Sequence, residues 1–132
     1  MRKSILVLLA AAALIIVATI TGAQNPVPLR SLPFSPARKA GPTLYVSGQI
    51  ARTPDGQDVR GSVEAETRQV MENIGRILRE QGYSFDDVVN ATVYLADLND
   101  YQAMNQAYAS YFKNGFPARA CVGGVSLRTP EP

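Results

Sequence analysis

Val89-Asn90-Ala91-Thr92-Val93-Tyr94-Leu95 is the stretch on which the fold turns. Val89, Ala91, Val93 and Leu95 alternate with Asn90, Thr92 and Tyr94, a period of two that gives a strand two different faces. Upstream the period changes. Val70, Ile74, Ile77 and Leu78 follow the i, i+4, i+7, i+8 spacing of a helix with one buried face. Ser62 can cap that helix, Glu64 and Glu66 complement the positive end of its dipole, and Gly82 suits its stop. Downstream, Asn99 is the expected cap of a second helix, with Gln102 three residues on as in a capping box. Tyr101, Met104, Tyr108, Tyr111 and Phe112 form its stripe, and Lys113-Asn114-Gly115 ends it.

A last strand is predicted from Ala118 to about Val125. On the amino side, Thr43 to Ile50 reads as a strand, and Pro54-Asp55-Gly56 supplies turn chemistry for a hairpin returning through Gln57 to Arg60. The order β-β-α-β-α-β predicts a two-layer α/β domain with two helices covering one sheet face.

Beyond these elements the composition shifts. Residues 24–33 hold three prolines and no periodicity, and are expected to link the domain, residues 34–132, to what precedes it. Met1 to Ala23 begins with Arg2 and Lys3, continues as an uncharged run of 16 residues from Ile5 to Ile20, and closes on Thr21-Gly22-Ala23. That pattern reads as a signal peptide, so the protein is expected to be exported to the periplasm or medium, touching a membrane only through an uncleaved leader.

Of 132 residues, 13 are Lys or Arg and 11 are Asp or Glu, and there is no His. Arg2 and Lys3 account for the whole excess, leaving residues 24–132 formally neutral. A neutral domain has no general pull on a phosphate backbone, which disfavours nucleic acid as a partner. The absence of His excludes Ser-His-Asp and Cys-His nucleophiles and His-ligated metals, and the single Cys121 excludes intrachain disulfides and Cys-cluster zinc. No metal and no cofactor is expected.

Arg119 and Cys121 are two apart on a predicted strand, so they share a face, roughly 7 Å apart, while Ala120 and Val122 take the other. Arg119 reads either as an edge charge or as a carboxylate clamp, because a guanidinium holds two oxygens in one plane. Asn105 lies between Met104 and Tyr108 on the apolar side of the second helix, where its amide needs partners, from local backbone or from a ligand. Cys121 reads as a small buried hydrophobe more readily than as a nucleophile. Ser47-Gly48-Gln49 is a strand end or a place where a ligand or another chain comes close to backbone. The tyrosine stripe reads as core or subunit interface.

Five segments together resemble the RidA (YjgF) family of reactive-intermediate deaminases. They are Tyr45-Val46-Ser47-Gly48-Gln49-Ile50, Thr67-Arg68-Gln69-Val70-Met71-Glu72-Asn73-Ile74, Asp87 through Leu95, Met104-Asn105-Gln106-Ala107-Tyr108, and Phe116-Pro117-Ala118-Arg119-Ala120-Cys121-Val122. The likeness runs from about Leu32 to Leu127. It implies a chorismate-mutase-like fold with a mixed sheet, assembled as a homotrimer with ligand sites between subunits. The implied activity is hydrolysis of 2-imino acids, or their 2-aminoacrylate-type enamine tautomers, to 2-keto acids and ammonia. The alternative is a non-catalytic small-molecule or protein-binding member of the same trimeric fold. A ribonuclease role attributed to some relatives is disfavoured by the neutral charge and absent His.

The resemblance places the family's carboxylate-binding Arg on Arg119, its ligand-contacting Cys on Cys121 and the Asn of its second helix on Asn105. It also brings Phe34, Ser47 and Gly48 to the substrate. The chain departs from the family pattern in three places. Phe34 stands where the family usually has Tyr, and Pro36 where Gln is common. After Leu127 the family turns into a final strand bearing an acidic residue, whereas Arg128-Thr129-Pro130-Glu131-Pro132 carries two prolines, which cannot donate ladder hydrogen bonds. The final strand is therefore expected to be missing or divergent, and Glu131 is not given the acidic residue's role.

Overall fold

The structure, a computed structural model, describes residues 33–126. The leader, most of the linker and the divergent carboxyl-terminal segment of the sequence reading lie outside the described residues. All the elements below belong to the compact unit that begins at Phe34.

Two strands open the fold, β1 (Ala37–Ala40) and β2 (Thr43–Val46), joined through Gly41-Pro42 and paired antiparallel with Arg38 opposite Tyr45. This corrects the expected hairpin. Pro54-Asp55-Gly56 does turn the chain, but it closes only a single bridge, Arg52 opposite Asp58, and β2 takes its ladder from the residues before it. Strong local turn chemistry fixed the turn without fixing the strand partner.

Helix α1 (Val63–Glu80) follows the sequence expectation at both ends. The Ser62 Oγ accepts from the Ala65 N–H at 3.2 Å. At the carboxyl end the Tyr83 N–H donates to Leu78 O at 2.9 Å and the Gly82 N–H to Arg79 O at 3.1 Å, the pair of bonds that defines a Schellman stop. Gly82 adopts φ +81°, which an L side chain would resist. Met71, Ile77 and Leu78 are buried, whereas Val70 and Ile74 are only half-buried. Asn73 is the buried polar residue of this helix. Its amide donates to Ile50 O at 3.2 Å and Arg52 O at 2.7 Å, and its Oδ1 accepts from Gln69 Nε2 at 3.0 Å.

Strand β3 (Asn90–Tyr94) and strand β4 (Ala118–Val122) pair in parallel, with Ala91 opposite Arg119 and Val93 opposite Cys121. Between them runs α2 (Tyr101–Ala109), which stops before the predicted Phe112. Asn99 does not cap it. Asp97 does the capping of the preceding 3-10 turn, its carboxylate accepting from the Asn99 N–H at 2.9 Å, and Asp100 enters α2 with no side-chain cap bond. The last strand also ends at Val122 rather than Val125, because Gly124 adopts φ +70°.

The α/β class and the layer of helices on one side stand, but the described strands form two two-stranded sheets, one antiparallel and one parallel. The core lies between the β3/β4 pair and the helices: Met71, Leu95, Met104 and Tyr108, with Val93, Phe85, Phe112 and Cys121 packed against them. The opposite face of that pair is exposed along Asn90, Thr92 and Tyr94 and along Ala118, Ala120 and Val122.

Candidate active site

The alternation of β4 sends Arg119 and Cys121 toward the helices and leaves Ala118, Ala120 and Val122 outside. Arg119 then meets the flank of α2. Its Nη2 donates to Asn105 Oδ1 at 2.6 Å and to the Tyr101 hydroxyl at 3.4 Å, and its Nη1 lies 3.8 Å from Met104 Sδ. The guanidinium carbon stands 4.8 Å from the Tyr108 ring centroid and 5.8 Å from that of Tyr101, within cation–π range of both. Tyr101, Met104, Asn105 and Tyr108 are spaced as i, i+3, i+4, i+7, so one helical flank supplies the whole seat.

Every one of these contacts is neutral. Among the described residues no carboxylate pairs with Arg119, whereas Arg52, Arg60, Arg68 and Arg76 all have acidic partners. A half-buried guanidinium held by an amide oxygen and aromatic faces has N–H groups left for an anion. A cavity of about 440 Å³ opens on it, lined by Asn105, Tyr108, Ala109, Phe116, Pro117 and Arg119. Burial pushes the Tyr108 phenol above its ordinary value, and the neighbouring Arg119 charge opposes that shift. The Tyr108 hydroxyl is buried and has no hydrogen-bond partner among the described residues.

The other expected site residues are placed differently. Cys121 is a free, half-buried thiol packed against the core and does not line this cavity. Ser47 and Gly48 line a separate, larger cavity. The Ser47 Oγ donates to Ser35 O and its N–H donates to Pro36 O at 2.9 Å, while Gly48 faces open space. Phe34 is exposed and lines neither cavity. Arg119 and Asn105 are thus brought together, and Phe34, Ser47 and Gly48 are not brought to them. The sequence reading missed Tyr101 and Tyr108 as the guanidinium's seat. Their helical spacing about Asn105 carried the signal, but the stripe reads equally well as core. No cluster of three or more His, Cys, Asp or Glu able to hold a metal occurs among the described residues.

A half-buried arginine with no carboxylate partner among the described residues, opening on a small cavity, has the chemistry to hold a small anion. Residues 25–131 match the family model described as Endoribonuclease L-PSP, and the chain belongs to that family, the one the sequence resembles under the name RidA. The chain is 50% identical over 91 residues to a RutC family protein of Pyrococcus horikoshii, covering 68% of this chain and 72% of that one. It is 47% identical over 96 residues to the human 2-iminobutanoate/2-iminopropanoate deaminase, covering 72% and 70% of the two chains. The crystal structure of yeast Mmf1 superimposes with a TM-score of 0.70 at 43% identity, covering 72% of this chain and 76% of that one. That likeness bears out the α/β fold of the family.

Proposed function

We propose that this protein is a hydrolytic deaminase of 2-imino acids and their enamine tautomers, and that Arg119 anchors the substrate carboxylate. Relatives 44–48% identical to the chain are named 2-iminobutanoate/2-iminopropanoate deaminases. The observation that carries the reading is the seat of Arg119, whose guanidinium has only neutral partners among the described residues and opens on a cavity.

The chemistry asks little of side-chain acids or bases. An iminium carbon is already electrophilic, so water adds to it, the C=N double bond becomes a single bond, and a proton passes from the added oxygen to nitrogen. The carbinolamine then releases ammonia and leaves the 2-keto acid. An enamine enters the same route once protonated at carbon. Arg119 fixes the carboxylate with paired N–H groups, and Asn105 and the tyrosines hold the guanidinium at the correct angle. No cofactor or metal takes part in this scheme.

Ser47, Gly48 and Phe34 join the site across a protomer boundary. Within one protomer they stand away from Arg119, so a composite site requires a second copy, in the homotrimer the family resemblance implies. Tyr94 and Val122 on the open sheet face are exposed and suited to such contacts. The leader over residues 1–23 directs export, and residues 24–33 link it to the domain. A non-catalytic binding role on the same scaffold is favoured by one observation, the separation of Ser47 and Gly48 from Arg119. The neutral domain and missing His argue against RNA cleavage, and an RNA assay at varied salt is expected to show none.

The test is imine hydrolysis with the substrate generated in situ by an amino-acid oxidase. Catalysis predicts ammonia release faster than the enzyme-free rate and dependent on Arg119. Turnover at the background rate from a well-folded protein supports the binding role instead.

A further inference from the structure

Phe116 is a large aromatic side chain left 68% exposed, and it stands in the same cavity as a guanidinium that has only neutral partners among the described residues. Backbone and neighbouring rings, rather than burial, hold it there. Pro117, next in the chain, has a locked φ, and the Ala118 N–H donates to Val89 O at 3.1 Å, so the chain enters β4 in one register. On one side the Phe116 ring packs on Phe112, with centroids 6.0 Å apart and planes at 60°, and Phe112 lies 4.8 Å from Tyr108. The rest of the ring is open. Pro117 precedes Arg119 by two residues, roughly 7 Å along the chain, and is half-buried like it. Ala109, the last residue of α2, adds a methyl group to the same lining. Arg119 carries the only charge among the six lining residues. The volume, about 440 Å³, is in the range of pockets for drug-sized molecules and exceeds what a three-carbon acid fills.

We propose that Phe116, Pro117 and Ala109 form the side-chain subsite of the deaminase, and that it selects 2-imino acids with a large, uncharged apolar side chain of the leucine or phenylalanine type. This rests on the reading of Arg119 as the carboxylate anchor. With the carboxylate on the guanidinium, the remainder of the substrate lies in the same cavity and meets an apolar wall. Each methylene that leaves water there is worth about fourfold in affinity. A flat side chain gains ring contact with Phe116 as well. A second carboxylate finds no cation in the lining beyond Arg119, whose charge the first already takes, and an ammonium finds no carboxylate. Either charge leaves water unpaired, so acidic and basic side chains are selected against. The wall touches atoms that do not react, so its effect falls mainly on KM.

The experiment measures kcat and KM of the full chain for the imines of leucine, alanine and glutamate, each generated in situ by an amino-acid oxidase of matching specificity. The leucine-derived imine is expected to exceed the other two in kcat/KM by about tenfold or more, chiefly through a lower KM. Phe116→Ala is expected to cut the leucine-to-alanine ratio about fivefold, and Phe116→Leu, which keeps an apolar surface, to restore most of it. Ala109→Lys sets a cation in the lining and is expected to raise the glutamate-to-leucine ratio by about tenfold. Equal kcat/KM for the three imines, or ratios that these substitutions leave unchanged, overturns the subsite while the deaminase reading stands. Hydrolysis of none of the three overturns the deaminase reading, and the subsite with it.

Discussion

Arg119 has five N–H donors and, among the described residues, only neutral acceptors around it, and the consequences can be read at single side chains. Arg119→Ala removes two charge-assisted hydrogen bonds to a carboxylate, each worth about 1.5 kcal/mol, so kcat/KM for imine hydrolysis is expected to fall on the order of a hundredfold or more. Arg119→Lys keeps the charge and loses the planar fork, and should recover only part of that loss. Asn105→Asp sets a carboxylate where the Oδ1 now stands, 2.6 Å from Nη2. The new carboxylate competes with the substrate's, so KM is expected to rise by about tenfold while thermal stability holds or increases. An unchanged KM would show that substrate does not reach this guanidinium.

At the scale of elements, two contacts hold the connecting segments in place. Asn73 ties α1 to the backbone at Ile50 and Arg52, and Asn73→Ala leaves both carbonyls short of a donor. A loss of about 2–3 kcal/mol in urea unfolding is expected, with Asn73→Asp also destabilised because it cannot donate. Gly123 follows β4 so closely beneath Leu98 that an added Cβ would overlap that side chain. Gly123→Ala should therefore destabilise by about 1–3 kcal/mol, and Leu98→Ala in the same chain should restore part of it. The Arg52 hydrogen bond holds the Asp58 carboxyl below the ordinary carboxylate range, and the Ser84 backbone and hydroxyl do the same for Asp87. A depressed native pKa contributes stability above the unfolded value, near 3.8, and loses it as pH falls through the native value. Melting temperature should thus decline below about pH 4, and the part due to Asp58 should vanish in Asp58→Asn.

For the molecule as a whole, the sequence was most legible where an element's own side chains carry its period. The alternation about Val93, the helical spacing from Val70 to Leu78 and the shared face of Arg119 and Cys121 all survive in the structure because each follows from local geometry. Pairing was less legible. Ala37-Arg38-Lys39-Ala40 has no alternation to announce a strand, yet it is the partner of β2, chosen by contacts that spacing does not encode. The same limit holds at the site. Strand position puts Arg119 on the helix side, but its bond to Asn105 spans fourteen residues of chain, and only the family resemblance joined the two. Ser47 and Gly48 line another cavity, a separation that spacing along the chain does not reveal. Sedimentation is expected to find a trimer, and substitutions such as Val122→Asp on the open face should dissociate it and abolish hydrolysis together.

The most direct test of the Arg119 anchor uses product rather than substrate. Calorimetric titration should find 2-oxobutanoate bound at least about tenfold more tightly than its uncharged amide by the native protein, and the two bound alike by Arg119→Ala. Equal binding of acid and amide by the native protein would contradict the account.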